Sequence, residues 1–431
     1  MPRVRIEKII AGGSGLARLS EGMVVMLPFV LPGELVEIRV VRRFRGHLQA
    51  EAVEILEPSP HRRRPPCPLF SICGGCDLQH AGEEFQAELR KDLLTEALRR
   101  AGITPMQPLS LLPCARPLAY RHRLRLHLAD DAGLGFHRIR SNRVVPIESC
   151  PVAAGGINRV LRTLHDHPDL LAGLAGRCEE IELLLSPETG EVVMVIHLRT
   201  GKKLSRQTTG RLEELARHSG PAIDIRRGRV LQPLMPGRPV PLLRQAFPDF
   251  DGYRLEWDSG CFFQANAEQN RLLVARTCAM AGEVHSQRLL ELHCGMGNFS
   301  VPLALRGARV TGVEQNNRSV RFAGRNMAAA GLSGHCLIRA STRIALARLR
   351  KTGEQFDCIV LDPPRQGLGP EVALLAELAA ERIIYVSCDP ATLARDLARL
   401  TTSGYHLTRL TAVDMFPQTH HIESVALLEK N

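Results

Sequence analysis

The segment RLLELHCGMGNFSVPLALRG, residues 288–307, decides the fold. Its opening residues read as a buried strand. Gly295 and Gly297 then permit a tight turn and close approach of the backbone to a ligand, before a helix that begins near Phe299. About twenty residues on, ARVTGVEQN (308–316) reads as a second strand ending in Glu314, an acid placed to accept hydrogen bonds from ribose hydroxyls. Strand, glycine turn, helix, strand and acid at this spacing describe a nucleotide site in an open parallel sheet. S-adenosylmethionine and NAD both fit these features.

On either side the pattern continues. From DSGCFFQANAEQNRLLVARTCAMA (258–281) onward, apolar strands alternate with amphipathic helices, which predicts an α/β, Rossmann-like, doubly wound domain over 256–431. FDCIVLDPPRQGLG (356–369) ends a strand in Asp362-Pro363-Pro364, putting a carboxylate and a rigid turn at the carboxyl edge of the sheet. Methyltransferases acting on amino nitrogens follow a similar Asp-Pro-Pro with an aromatic residue. Arg365 stands there instead and argues against amine chemistry. IIYVSCDPATLARDL (383–397) is a strand followed by a helix, with Cys388 at the junction. By position alone Cys388 is either a small buried hydrophobe or a nucleophile displayed at a strand end.

Residues 1–57 alternate as several short strands broken by AGGSG and Pro32-Gly33, the pattern of a five-stranded OB-type barrel. The basic, proline-rich joint EPSPHRRRPPCP (57–68) marks a boundary. Residues 58–255 form a sheet-rich middle region that opens with an amphipathic helix over 83–102, a candidate to pack on the catalytic domain. The 431 residues carry a net charge of +11, nearly all of the positive side from arginine, which suits a polyanionic partner such as RNA. No apolar run approaches the roughly 18 residues of a membrane span, and the N-terminus lacks the apolar core of a signal peptide. A cytoplasmic protein is expected. Its 12 cysteines are then not a disulfide framework. Cys67, Cys73 and Cys76 in CPLFSICGGCDLQH cluster as metal ligands would, and their spacing suits iron-sulfur and zinc alike.

LLELHCGMGNFS, VLDPPRQGL, YVSCDPATLARDL and the tail DMFPQTHHIESVALLEK together resemble the RNA (uracil-5)-methyltransferase family, which makes 5-methyluridine. The likeness spans the chain: residues 1–57 are similar to its TRAM domain, and the cysteine segment to that of its 23S ribosomal RNA members. The resemblance implies S-adenosyl-L-methionine as methyl donor, Cys388 as the thiolate that adds to carbon 6 of uracil, and Glu423 as the base that removes the carbon-5 proton. It implies cofactor contacts from Gln264, Asn298, Glu314 and Asp362, with Asp362 also at the target base, and a [4Fe-4S] cluster on Cys67, Cys73, Cys76 and the distant Cys150. Two positions depart from the pattern: His293 replaces an aromatic residue beside the cofactor, and Ser341 replaces an acid contacting adenine. Asp389 next to Cys388 opposes thiolate formation. The target base must be flipped from structured RNA, with phosphates held by the barrel, YRHRLRLH (120–127) and the HRRR joint. The rivals are a tRNA uridine-5 enzyme, an RNA cytosine-5 enzyme, and a catalytically silent RNA-binding assembly factor.

Overall fold

The computed structural model describes residues 1–430 except Ser219 and Ala379. Five strands, β1 (Arg3–Ile9), β2 (Gly15–Arg18), β3 (Val24–Leu27), β4 (Leu35–Arg43) and β5 (His47–Glu57), close into a barrel in the order β1-β2-β3-β5-β4. The alternation seen in the sequence sends every second side chain inward, so Val4 and Ile6 of β1 meet Val36 and Ile38 of β4 in its core. Helix α1 (Glu83–Arg100) leaves the joint and packs two ways. Leu89 meets Ile9 and Leu31 beside the barrel, while Leu94 and Leu98 join the core under the C-terminal sheet. The short strand β6 (Ser110–Leu112) follows.

The middle region is a seven-stranded sheet. Its elements are β7 (Arg123–Leu128), β8 (Leu134–His137), β9 (Val144–Pro146), α2 (Gly155–His165), α3 (Pro168–Leu174), β10 (Cys178–Leu185), β11 (Val192–Leu198), α4 (Arg206–Arg217), β12 (Ala222–Arg227) and β13 (Val230–Pro233). The strands run in the order β13-β12-β11-β10-β7-β8-β9, with Ile157, Leu161, Leu170 and Leu212 of the three helices packed on one face. A hairpin, β14 (Leu243–Phe247) and β15 (Tyr253–Trp257), comes next and buries Phe247 and Trp257 in the core of the following sheet.

That sheet is built from α5 (Ala267–Ala281), β16 (Arg288–Leu292), α6 (Ser300–Leu305), β17 (Arg309–Glu314), α7 (Asn317–Ala329), β18 (Cys336–Arg339), α8 (Thr342–Lys351), β19 (Cys358–Leu361), α9 (Val372–Ala376), β20 (Arg382–Ser387), α10 (Pro390–Thr402), β21 (Tyr405–Val413) and β22 (Glu423–Lys430). Its strand order is β18-β17-β16-β19-β20-β22-β21-β6, parallel from β18 to β20, with β22 antiparallel to β20. Alternate residues divide between two cores. Leu289, Val360 and Val386 face α5, α6 and α7, while Leu290, Leu361 and Tyr385 face α1, α8, α9 and α10. The α/β architecture and the N-terminal barrel are those expected from the sequence. The strand order turns back between β16 and β19, and such a switch point opens a crevice at the carboxyl ends of the strands. Among the described residues, no helix is long and apolar enough to cross a membrane.

Candidate active site

The glycine turn sits at the end of β16. His293, Gly295 and Gly297 all take positive φ, at 61°, 55° and 98°, so the chain curls tightly before α6. A side chain at Gly297 would meet Val301 Cγ2 at 3.0 Å, which adds crowding to the conformational reason for glycine there. Glu314 ends the neighbouring strand and braces the turn: its carboxylate accepts from the Gly295 amide at 3.1 Å and from the Asn316 amide at 2.6 Å. His293, half-buried and with its pKa lowered by that burial, places Nε2 2.9 Å from Thr342 Oγ1. Ser341 caps α8, accepting from Ile344 N at 3.5 Å. Asn298 exchanges amide hydrogen bonds, each 3.0 Å, with Asn270 of α5. Asn270 was not anticipated from the sequence, where it is one polar residue on a helix.

Asp362, Cys388 and Glu423 gather at the same edge, one to three strands further along. Ser387 and Ser424 form the last rung between β20 and β22, and Cys388 and Glu423 adjoin it, close enough for the charge of Glu423 to act on the Cys388 thiol. Asp362 follows Leu361, the last residue of β19, and accepts from Gln264 Nε2 at 3.5 Å. Burial raises the Asp362 carboxyl to about 7 against the pull of Gln264. Burial also raises Glu423 well above the ordinary range, and the charge of Asp362 adds to this, opposed by Arg365. Glu423 Oε1 has no hydrogen-bond partner. Two carboxyls in one dry site share protons more readily than they both ionise.

Burial pushes the Cys388 thiol up to about 12, Glu423 and Asp362 push the same way, and Arg365 opposes them. Asp389 is turned elsewhere: as N-cap of α10 its carboxylate accepts from the Thr392 amide at 2.9 Å. The charges that oppose a thiolate are therefore those of Glu423 and Asp362. A carboxylate that holds protons strongly beside a thiol is also a competent acceptor for the thiol proton. The arrangement favours a neutral empty site whose nucleophile loses its proton as negative charge moves onto a bound electrophile. Arg365 Nη2 lies 3.5 Å from His421 Nε2, and burial, His420 and Arg365 lower the His421 pKa to about 3, so a neutral imidazole faces the site.

Cys67, Cys73 and Cys76 come from one loop and Cys150 from the approach to α2. The charge of Cys150 acts on Cys73 and Cys76, and that of Cys67 on Cys73 and Cys150, so the four sulfurs share one neighbourhood. Burial and the neighbouring thiols push Cys76 up to about 12. Four mutually repelling thiols form a donor set whose deprotonation a soft cation would favour. Among the described residues, no three His, Cys, Asp or Glu side chains close into a coordination shell on their own.

Of the arginines singled out in YRHRLRLH, Arg121 donates to the Arg123 carbonyl at 3.1 Å, and Arg123 and Arg125 pair with acids of the neighbouring strand. Arg123 donates to the buried Glu182 of β10 at 2.7 Å, and Arg125 reaches Glu180 and Glu182. A cavity of about 570 Å³ between Arg159, Glu191 and Arg238 lies in the middle region and contains none of the candidate residues.

Residues 249–431 match the family described as tRNA (Uracil-5-)-methyltransferase. The whole chain is 36% identical to the 23S rRNA (uracil(1939)-C(5))-methyltransferase RlmD of Alkalilimnicola ehrlichii, covering 100% of this chain and 98% of the relative. It is 34% identical to the protein of the same name from Aromatoleum aromaticum, covering 100% of both. The crystal structure of Pyrococcus abyssi tRNA (uracil-54, C5)-methyltransferase in complex with S-adenosyl-L-homocysteine is similar at a TM-score of 0.74 and 25% identity, over 99% of this chain and 100% of that one.

Proposed function

The chain belongs to the RNA (uracil-5-)-methyltransferase family and catalyses S-adenosylmethionine-dependent methylation of carbon 5 of a uridine in RNA; we propose that its substrate is 23S ribosomal RNA, with Cys388 as nucleophile and Glu423 as base. The ribosomal substrate is supported by full-length identity of 34–36% to relatives named for uracil 1939 of 23S rRNA. The observation that carries the residue roles is that Cys388 and Glu423, each next to the paired Ser387 and Ser424, lie close enough with Asp362 for their charges to act on one another.

Carbon 5 of uracil is a weak nucleophile until a thiolate adds to carbon 6 and pushes electrons toward it. Cys388 forms that C6–S bond as its proton passes to Asp362 and on to solvent, which leaves Glu423 to take the later proton. S-adenosylmethionine, when bound, supplies the electrophilic methyl group. Glu314, Asn298, His293, Ser341 and the Gly295 turn would hold it along the crevice, and Gln264 and Asp362 would set its reactive end against the base. Glu423 then takes the carbon-5 proton, which lets the double bond re-form and Cys388 leave. The four cysteines would hold a [4Fe-4S] cluster, a donor set that zinc also accepts. Its role is to shape the RNA-facing surface of the middle region, since methyl transfer needs no electron carrier.

A 5-fluorouridine transcript carrying the target site tests the roles, because fluorine cannot leave as a proton. With methyl donor, the wild type should give an SDS-stable protein–RNA adduct and Cys388→Ala none. Glu423→Gln should give that adduct with ordinary uridine. No adduct from the wild type with donor bound would refute the assignment.

A further inference from the structure

The segment between β21 and β22, residues 414–422, delivers Glu423 to the site, yet most of its polar contacts come from elements far away in sequence. Gln418 is fully buried in the left-handed region at φ 71°, and every polar group it has is used. Its carbonyl accepts from the Asp77 and Leu78 amides at 3.1 and 3.0 Å. Its amide donates to Gln86 Oε1 at 2.8 Å, and its side-chain oxygen accepts from Gln86 Nε2 at 3.0 Å and Arg63 Nη2 at 3.2 Å. Its side-chain nitrogen reaches Pro117 O at 3.3 Å. On one side the buried Arg90 holds Asp414 at 2.8 Å and the Thr419 carbonyl at 3.0 Å. On the other, His420 bonds Asp77.

We propose that Gln418, clamped by Gln86 and the cysteine-bearing segment, is a positioning residue that aims Glu423 at the carbon-5 proton. The inference rests on the assignment of Glu423 as base. In the step concerned the C5–H bond breaks and its proton goes to the Glu423 carboxylate. The electron pair restores the C5=C6 double bond, and the C6–S bond breaks with its pair returning to Cys388. A left-handed non-glycine residue is held there against its preference by this set of contacts. Glu423 itself has an unpartnered oxygen, so its direction is set by this backbone rather than by bonds of its own.

Gln418→Gly removes the side-chain bonds while suiting the backbone, and Gln86→Ala removes the clamp from the other side. Each is assayed below its own unfolding midpoint. Both should lower kcat by about 10–100-fold, the scale of a misplaced catalytic group, leave KM for RNA and for methyl donor close to wild type, and accumulate an SDS-stable adduct on ordinary uridine. Trapping of 5-fluorouridine RNA, which needs addition and methylation but no proton removal, should run at the wild-type rate. Unchanged turnover, or a loss of trapping equal to the loss of turnover, would overturn the proposal. Failure of the wild type itself to trap 5-fluorouridine would overturn the Cys388 and Glu423 roles instead.

Discussion

Glu291 is a carboxyl among the leucines of β16, 1% exposed, bonded to the Ser300 hydroxyl through one oxygen and to nothing through the other. Burial raises its pKa to about 8, with Asp362 and Glu314 adding and Ser300 opposing. It therefore enters the neutral range protonated, one residue away from the turn that starts the cofactor crevice. Between the ordinary value of 4.5 and about 8, the folded chain holds a proton here that the unfolded chain has released. Stability must fall as pH rises through that window, at up to about 1.4 kcal/mol per pH unit for one proton. Glu291→Gln removes this dependence. Urea unfolding from about pH 5 to about pH 8 should show the variant gaining on the wild type as pH rises, and parallel curves would refute the neutral carboxyl. The signal in the sequence was the acid itself inside LLELHCG, beside glycines that drew the reading to the turn. Asp389 shows the opposite limit: its adjacency to Cys388 was plain, but only the helix cap shows where its charge goes.

Between elements, the joint after the barrel is fixed by one buried carboxylate. Glu34 is fully buried, and both its oxygens meet the Arg62 guanidinium, at 2.5 and 2.7 Å, with the Leu31 and Ser59 amides at 2.8 and 3.1 Å. Burial alone would raise its pKa, but Arg62 and the two amides outweigh this and hold it below the ordinary value. Its stabilisation is thus present above pH 4.5 and lost as pH falls through the lowered value. Arg62→Met leaves that carboxylate buried without its partner and should cost about 3–5 kcal/mol, read as a fall in Tm at neutral pH that narrows in acid. An unchanged Tm would mean the barrel docks by its apolar contacts alone. Strand β20, the start of α10, the glycine turn and the barrel alternation were legible because each is a local pattern of period or punctuation. Strand β6 was not, since three residues carry no period. Nor was the Gln86–Gln418 clamp, whose partners lie 332 residues apart and are ordinary glutamines to any local reading.

Over the whole molecule, the charge of +11 suits a polyanionic partner but does not say where it lies. The structure separates spent arginines from available ones. Arg123 and Arg125 neutralise Glu180 and Glu182, and the Glu182 carboxylate, which burial alone would raise, is held at about 2 chiefly by His197 and Arg123. Arg138, Arg140 and Arg143, on the β8–β9 hairpin, are exposed and pair with no carboxylate among the described residues. The cysteine segment braces that hairpin, with the Gly74 amide on the His137 carbonyl at 3.0 Å and the Ile139 amide on the Ile72 carbonyl at 3.1 Å. An open groove of about 540 Å³ runs between them, lined by Gly74, His127, His137 and Arg138. Phosphate contacts release counterions, so each one adds about 0.7–0.9 to the slope of log affinity against log salt. Replacing Arg138, Arg140 and Arg143 by alanine should reduce that slope by about 2 to 3 for a structured ribosomal RNA fragment. Arg123→Ala with Arg125→Ala should leave the slope unchanged and instead lower Tm, because Glu182 stays buried without its cation. Equal loss of slope from both sets would return the phosphate contacts to β7, and no loss from the hairpin set would move the RNA path away from the cysteine segment altogether.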